Sequence, residues 1–255
     1  LLMREPTPPE DPDWVVMEST YGGRVHERRD PFEALAEVLR RTVARGGVLL
    51  VPSFAVGRAQ TLLACFFEIF RRGLAEEVPI WVNSPMATDV TRLFRRSSAY
   101  HRLPEERCAE VCDLARYART PKESRELTAQ REPAVIISAS GMASGGRVLH
   151  HLRALLPEAR HTVLFPGFQA PGTRGDSLVH GAPTVKIHGR QIPVAAEVEQ
   201  LDIFSAHADH AELLGWLGSA TRLPRRVFVN HGEALAAVTV RRDVVDTFGV
   251  DACVP

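Results

Sequence analysis

Three short runs of this chain hold residues that can move protons or bind a metal. The first is Glu18-Ser19-Thr20-Tyr21-Gly22, which follows an apolar run and precedes His26. A carboxylate at a strand end suits a site at the carboxyl edge of a sheet. The same run also reads as a turn capped by Ser19 and Thr20. The second is Ser205-Ala206-His207-Ala208-Asp209-His210, placed after an apolar strand end at Ile203-Phe204. Its small residues let the backbone at His207 approach other groups, and Asp209 can orient an imidazole or cap a helix beginning at Ala211. A lone histidine is more often structural than catalytic, and a capping Asp209 is compatible with a working His207. The third is Asn230-His231-Gly232-Glu233. A histidine between a strand end and a glycine turn is held rigid with its ring accessible, a common presentation for a metal ligand. A plain turn histidine looks the same in sequence.

Three further turns have the composition of phosphate cradles. Ser138 to Arg147 contains Ser140, Gly141, Gly145 and Gly146. Gly172-Thr173-Arg174-Gly175 comes after a strand ending at Phe165, and Pro52-Ser53-Phe54-Ala55-Val56-Gly57-Arg58 opens a helix. Glycine lets a backbone approach an anion, and the free N–H groups of a helix start favour negative charge. Arginine adds bidentate contact. The candidate substrate contacts are therefore Ser53, Arg58, Ser140, Gly141, Gly145, Gly146, Arg147, Thr173 and Arg174. Turn geometry alone explains any one of these turns. Three at successive strand–helix switches on one sheet edge argue for more.

Such runs need a sheet behind them. Trp14-Val15-Val16-Met17 reads as a strand leading to Glu18. Residues 31–45 read as an amphipathic helix with Phe32, Leu35, Val38 and Leu39 at helical spacing, closed by Gly46-Gly47. Strands over 48–51, 78–82, 134–137 and 162–165 alternate with helices, which predicts a parallel α/β sheet. Residues 88–131 are polar, helical and arginine-rich, with no clear strand. Thr184 to Ile187 and Gln191 to Val194 flank His188-Gly189-Arg190, which predicts a hairpin with a loop of about three residues. The change of texture there predicts a domain boundary near residue 178. A helix over 211–217, a strand over 226–229 and a last helix follow.

Composition bounds the reading. The chain has 255 residues, of which 45% are hydrophobic, enough for one large or two modest domains with real cores. Lys+Arg and Asp+Glu balance at 31 each, so binding to a polyanion must come from local arginine placement. Cys65, Cys108, Cys112 and Cys253 are too scattered for a disulfide framework and read as reduced thiols. No apolar run approaches the ~20 residues of a membrane span and no signal peptide is visible. A cytoplasmic protein is the expectation. The opening Leu1-Leu2-Met3-Arg4 and its proline-rich continuation read as a chain entered in mid-domain.

Glu18 to Gly22, Pro52 to Gln60, Asn83-Ser84-Pro85-Met86-Ala87, Ser140-Gly141-Met142, Gly172 to Gly175, Ser205 to Asp209 and His231-Gly232-Glu233 occur in an order that resembles the β-CASP group of metallo-β-lactamase-fold nucleases. The resemblance covers nearly the whole chain. It implies an αββα metallo-β-lactamase domain interrupted by a β-CASP insert, with the active site between them. On that scheme residues 1–28 end the first metallo-β-lactamase segment, 29–178 form the β-CASP domain and 179–255 the closing metallo-β-lactamase segment. Glu18 matches the acidic motif A, His207 the motif B histidine and His231 the zinc-ligating motif C histidine. A histidine at motif C resembles the RNA-type branch. The implied activity is zinc-dependent hydrolysis of RNA in processing or decay. His207 would donate a proton to the leaving oxygen, Glu18 would orient it, and the two-zinc centre would include His231. The implied partner is single-stranded RNA, with a homodimer or a complementing amino-terminal half as protein partners. The family's His-x-His-x-Asp-His run does not occur here, nor do the later His and Asp ligands that precede motif A. The chain on its own is therefore expected to be an inactive fragment. A non-catalytic RNA-binding or scaffold paralogue, and a DNA-directed nuclease of the same superfamily, are the rival readings.

Overall fold

The computed structural model describes residues 2–255, so Leu1 of the opening run lies outside the described residues. The chain begins with strand β1 (Trp14–Glu18). Helix α1 (Pro31–Ala44), β2 (Val48–Pro52), α2 (Arg58–Arg71), β3 (Ile80–Val82) and α3 (Pro85–Arg95) then alternate. Next come α4 (Glu105–Asp113), β4 (Ala115–Tyr117), α5 (Pro121–Thr128), β5 (Ala134–Ser138), α6 (Val148–Leu155), β6 (Thr162–Phe165) and α7 (Arg174–Val179). Three strands follow, β7 (Thr184–Ile187), β8 (Arg190–Pro193) and β9 (Glu197–Gln200). The last elements are α8 (His210–Gly218), β10 (Arg226–Asn230), α9 (Ala234–Phe248) and β11 (Asp251–Cys253). They form two compact units. One is Arg28–Phe204 with Leu2 and Met3; the other joins Arg4–Glu27 to Ser205–Pro255.

The larger unit is a parallel sheet of six strands in the order β4-β3-β5-β2-β6-β9. Its central strands β2 and β5 are buried at every position, as expected where helices cover both faces. Alternate residues serve opposite layers. Leu49, Val51, Val135 and Ile137 pack with the apolar faces of α1 and α2. Val48, Leu50, Ile136 and Val163 pack with Val148, Leu152 and Leu155 of α6. Each such side chain stabilises the fold by roughly 1.5–3 kcal/mol. Helix α1 starts where Asp30 accepts from the N–H groups of Phe32 and Glu33, with Pro31 in the first turn. It ends at Gly46, whose φ is +65°.

Three local expectations need correction. A strand, β4, lies within 88–131: it is a three-residue sheet edge, too short for an alternating pattern to register. The hairpin loop has two residues, not three. His188 and Gly189 both have positive φ, +48° and +79°, which matches the right-handed twist of the flanking strands. Ile203-Phe204 is not a strand end but part of a 3-10 turn, Asp202–Phe204. The strand before it is β9, whose Glu197 and Glu199 pair with Arg41 and Arg45 along the sheet edge, so it reads as polar surface. The hairpin packs in the larger unit, where Val185, Ile187 and Ile192 join the core beside α6.

The smaller unit is a parallel three-stranded sheet, β1-β10-β11. Val15 and Met17 of β1 and Val227 and Val229 of β10 pack against Leu213 and Leu217 of α8 and Ala237, Val240 and Val244 of α9. Register sets Glu18 beside Asn230, so the two strand ends that precede candidate chemistry are neighbours.

Candidate active site

Glu18, His207 and His231 converge in the smaller unit. One ligand-type atom from each lies within 4.8 Å of the others. Glu18 and His231 come together because β1 and β10 are adjacent and parallel. His207 arrives by a loop rather than from a strand of that sheet. The loop is fixed at several points. Tyr21 bridges to Asp209, and the His26 N–H donates to Asp209 Oδ2 at 2.9 Å. The His26 ring nitrogen Nε2 lies 3.0 Å from His207 O. Asp209 and Glu212 form a reciprocal cap on α8. Asp209 is thus a helix cap that also holds the loop.

The hydroxyl of Thr20 organises the two imidazoles. Its Oγ1 lies 3.3 Å from His207 Nδ1, 3.2 Å from His231 Nδ1 and 3.1 Å from His231 O. A carbonyl oxygen only accepts, so Oγ1 donates to His231 O and meets both rings at Nδ1. Each Nε2 is without a partner among the described residues. His207 Nδ1 also faces Glu18 Oε2 at 3.4 Å, and the two rings stack at 5.2 Å. Sequence reasoning missed this role of Thr20, because a hydroxyl two residues past a strand-end carboxylate reads first as a cap. Burial works to raise the pKa of Glu18. Hydrogen bonds from His207 and Thr20 outweigh it and hold the carboxyl down at about 2.

His231 sits at a tightened turn. Its φ is +52°, unusual for a residue with a side chain. Its N–H donates to Asn230 Oδ1 at 2.8 Å, and Ser19 Oγ donates to Asn230 O at 2.9 Å. A Cβ on Gly232 would lie 2.3 Å from Ser19 Oγ and 2.5 Å from Ser19 O, so only glycine lets these loops meet. Glu18 and His207 pair with each other, and His231, held at Nδ1 by Thr20 with Nε2 turned outward, is the member of the trio that suits one zinc ligand.

The candidate substrate contacts all lie in the larger unit, where the three turns meet. Gly141 packs against Phe54, and a Cβ there would come within 2.9 Å of the ring. The Gly175 N–H donates to Met142 O at 3.0 Å. Arg174 donates to Lys186 O and to Ala143 O. Arg147 donates to Asn83 Oδ1, Ala118 O and Arg119 O. Ser140 Oγ accepts from Ser144 N–H and Gly145 N–H, and Thr173 caps α7. Ser53 is buried and donates to Phe54 O. Arg58 lies against Gly167, and Gly146 holds φ +80° over Ala139 O. Gly145 has open space beside it. Most polar groups of this set are therefore engaged within their own turn or with neighbouring backbone, and Arg174 ties its turn to the one around Ala143.

Known families match both parts of the chain. The Beta-Casp domain matches residues 59–178, and the Zn-dependent metallo-hydrolase RNA specificity domain matches residues 191–255. Ribonuclease TTHA0252 of Thermus thermophilus is 35% identical over 240 residues, covering 91% of this chain and 54% of its own length. Transcription termination factor FttA of Pyrococcus horikoshii is 31% identical over 256 residues, covering 94% of this chain and 39% of its own. An RNase J-like protein of Methanocaldococcus jannaschii is 29% identical over 250 residues, covering 95% and 57%. The chain thus spans about half the length of the curated relatives it matches, or less. No helix among the described residues is long and apolar enough to cross a membrane. With a β-CASP match followed by an RNA-specificity match on an α/β fold of parallel sheets, the chain belongs to the β-CASP family of metallo-β-lactamase-fold proteins.

Proposed function

We propose that the whole protein hydrolyses RNA phosphodiester bonds with zinc, using Glu18 and His207 as one proton-transfer pair and His231 as a metal ligand. The observation that carries this reading is the convergence of a carboxylate and two Nδ1-anchored imidazoles in a chain of this family. In its imidazolium form His207 gives the Nε2 proton to the leaving 3′ oxygen as the P–O bond breaks, keeping Nδ1–H toward Glu18, while water adds to phosphorus, loses its own proton to solvent and leaves a 5′ phosphate. The Glu18 carboxylate beside Nδ1–H fixes the ring and offsets its charge. His231 offers Nε2 as one ligand of a two-zinc set; bound zinc eases formation of a nucleophile from water and charge on the phosphoryl oxygens.

The turns around Ser53, Arg58, Ser140–Arg147 and Thr173–Arg174 are read as a surface for the RNA backbone, with Gly141, Gly145 and Gly146 giving close approach. Arg147 and Arg174 act there chiefly as braces. The metallo-β-lactamase reading of residues 1–28 and 179–255 is supported over 4–27 and 205–255, which join in one compact unit, whereas 179–204 belong to the larger unit. Trp14 and Val16 are each 71% exposed on the sheet face opposite α8 and α9. We place a complementing amino-terminal segment there, with a second copy of the chain as the alternative. The thiols of Cys65, Cys108, Cys112 and Cys253 are free, which supports a cytoplasmic setting.

The test is cleavage of labelled single-stranded RNA and DNA by the intact protein and its variants. Glu18→Gln and His207→Ala should each slow RNA cleavage by roughly 10²–10⁴-fold. The double variant should be little slower than the poorer single one. Zinc content should hold in all three and fall in His231→Ala. Additive losses, zinc loss in His207→Ala, or equal cleavage of DNA would overturn the assignment.

A further inference from the structure

A groove between α5 and α6 lies apart from the trio in its chemistry. It encloses about 640 Å³ and is lined by Ser124, Arg125 and Thr128 on one side and His150 and Arg153 on the other, with Arg147 at the start of α6. Three arginines and a histidine share this lining with no carboxylate. The local excess stands out because acids and bases balance over the whole chain.

The charges are of two kinds. Arg147 is fixed, with Nη1 2.9 Å from both Asn83 Oδ1 and Ala118 O and Nη2 2.5 Å from Arg119 O. Arg125 and Arg153 have no ion pair or side-chain hydrogen bond among the described residues. Arg41, Arg45 and Arg107, by contrast, are all committed to carboxylates. The His150 ring is steadied by stacking on His188 at 5.0 Å. The floor is rigid as well. Asn83 donates to Ser124 Oγ at 2.8 Å, and Thr128 Oγ1 lies 3.1 Å from the buried His151 ring. Pro121, Ala129 and Ala154 add apolar surface.

Unengaged guanidinium groups over a fixed cation and an apolar floor match an anion with a flat or apolar body. We propose that this groove binds a phosphate carried on a nucleotide unit, with Arg125 and Arg153 as its bidentate contacts and Arg147 as a standing charge. The phosphate comes from an RNA strand or from a free nucleotide; the first source rests on the RNA reading above.

The experiment compares the full chain, the double variant Arg125→Ala/Arg153→Ala and the control Arg96→Ala, an exposed arginine elsewhere. Anisotropy reports binding of a short labelled single-stranded RNA, calorimetry reports adenosine monophosphate, and circular dichroism checks the fold. The double variant should bind RNA about tenfold more weakly, and its log–log salt slope should flatten by about 0.7, the share of the one phosphate lost. The control should match the unaltered chain. Parallel loss of the nucleotide marks a site open to free nucleotides, and loss confined to RNA marks a strand site. If RNA binds equally well to all three proteins and the nucleotide does not depend on the arginines, the groove proposal fails while the RNA reading stands. Arginine-dependent nucleotide binding without RNA binding keeps the groove and removes the RNA reading. If neither ligand binds, both fail.

Discussion

At the scale of single residues, Thr20 makes two histidines into a defined pair. Both Nδ1 atoms meet the same hydroxyl, which holds the two rings side by side and leaves each Nε2 without a partner among the described residues. Thr20→Val keeps the shape and removes the lone pairs, whereas Thr20→Ser keeps them. Nitrogen-15 NMR of the chain should report Nδ1-protonated His207 and His231 in the native and Ser forms and a tautomer mixture in the Val form. Identical ring spectra in all three would refute the hydroxyl's role. Gly232→Ala tests the neighbouring contact. Its methyl would collide with Ser19 backbone, so the variant should lose about 1–3 kcal/mol of stability in urea. Unchanged stability would show that the loops can part without cost. Glu18, His207 and His231 were legible in the sequence because each sits at a strand end or between small residues. The partners of Arg147 and Arg174 were not. A sequence shows that an arginine is present but not which carbonyl oxygens come within its reach, and these are set by contacts across 12 to 64 positions.

Elements differ in how openly their sequence declares them. Helices α1 and α2 and the strand β2 between them were readable from apolar spacing and from the glycines that end or begin them. The edge strands β4 and β9 were not, because edges are short, charged and solvated. Helix α6 adds a buried polar element. Its His151 is fully enclosed, with Nε2 2.6 Å from Asn83 Nδ2 and Nδ1 3.1 Å from Thr128 Oγ1. Burial first, and then the positive neighbours His150 and Arg147, lower its pKa from 6.5 to about 4. In the unfolded chain the ring takes up a proton near 6.5, and in the native chain only near 4. Below about 6.5 the unfolded state therefore binds more protons, and stability falls with pH until about 4, where both states are protonated. The full loss is about 3 kcal/mol, with about 2 kcal/mol of it reached by pH 5. Urea unfolding at pH 7.5 and pH 5 should show that extra loss in the native chain relative to His151→Gln. Equal pH dependence in the two proteins would mean that His151 is solvated or charged in the fold.

The whole molecule is two units with different claims on the chain. Every residue of the two large core clusters falls within 34–204, and all six strands of the main sheet come from one continuous stretch. The smaller core instead needs Val15 and Met17 from one end of the chain beside Leu213, Val227 and Val240 from the other. Strand β1 bonds only to β10 among the described residues, so without residues 14–18 the smaller sheet keeps two strands, β10 and β11. A two-stranded sheet over helices exposes much of what β1 covers, and small cores are marginal. Residues 28–204 expressed alone should therefore fold, with native far-ultraviolet dichroism, a cooperative urea transition and resistance to trypsin. Residues 205–255 alone should not, and should gain order only when a peptide of residues 4–27 is added. Both halves of the outcome matter. An unfolded 28–204 fragment would mean that the large sheet leans on the other unit, and a folded 205–255 fragment would mean that β1 is a late addition. Either result would break the link between core membership and independent folding, because each core would then be stable without the residues that complete it or unstable with all of them present.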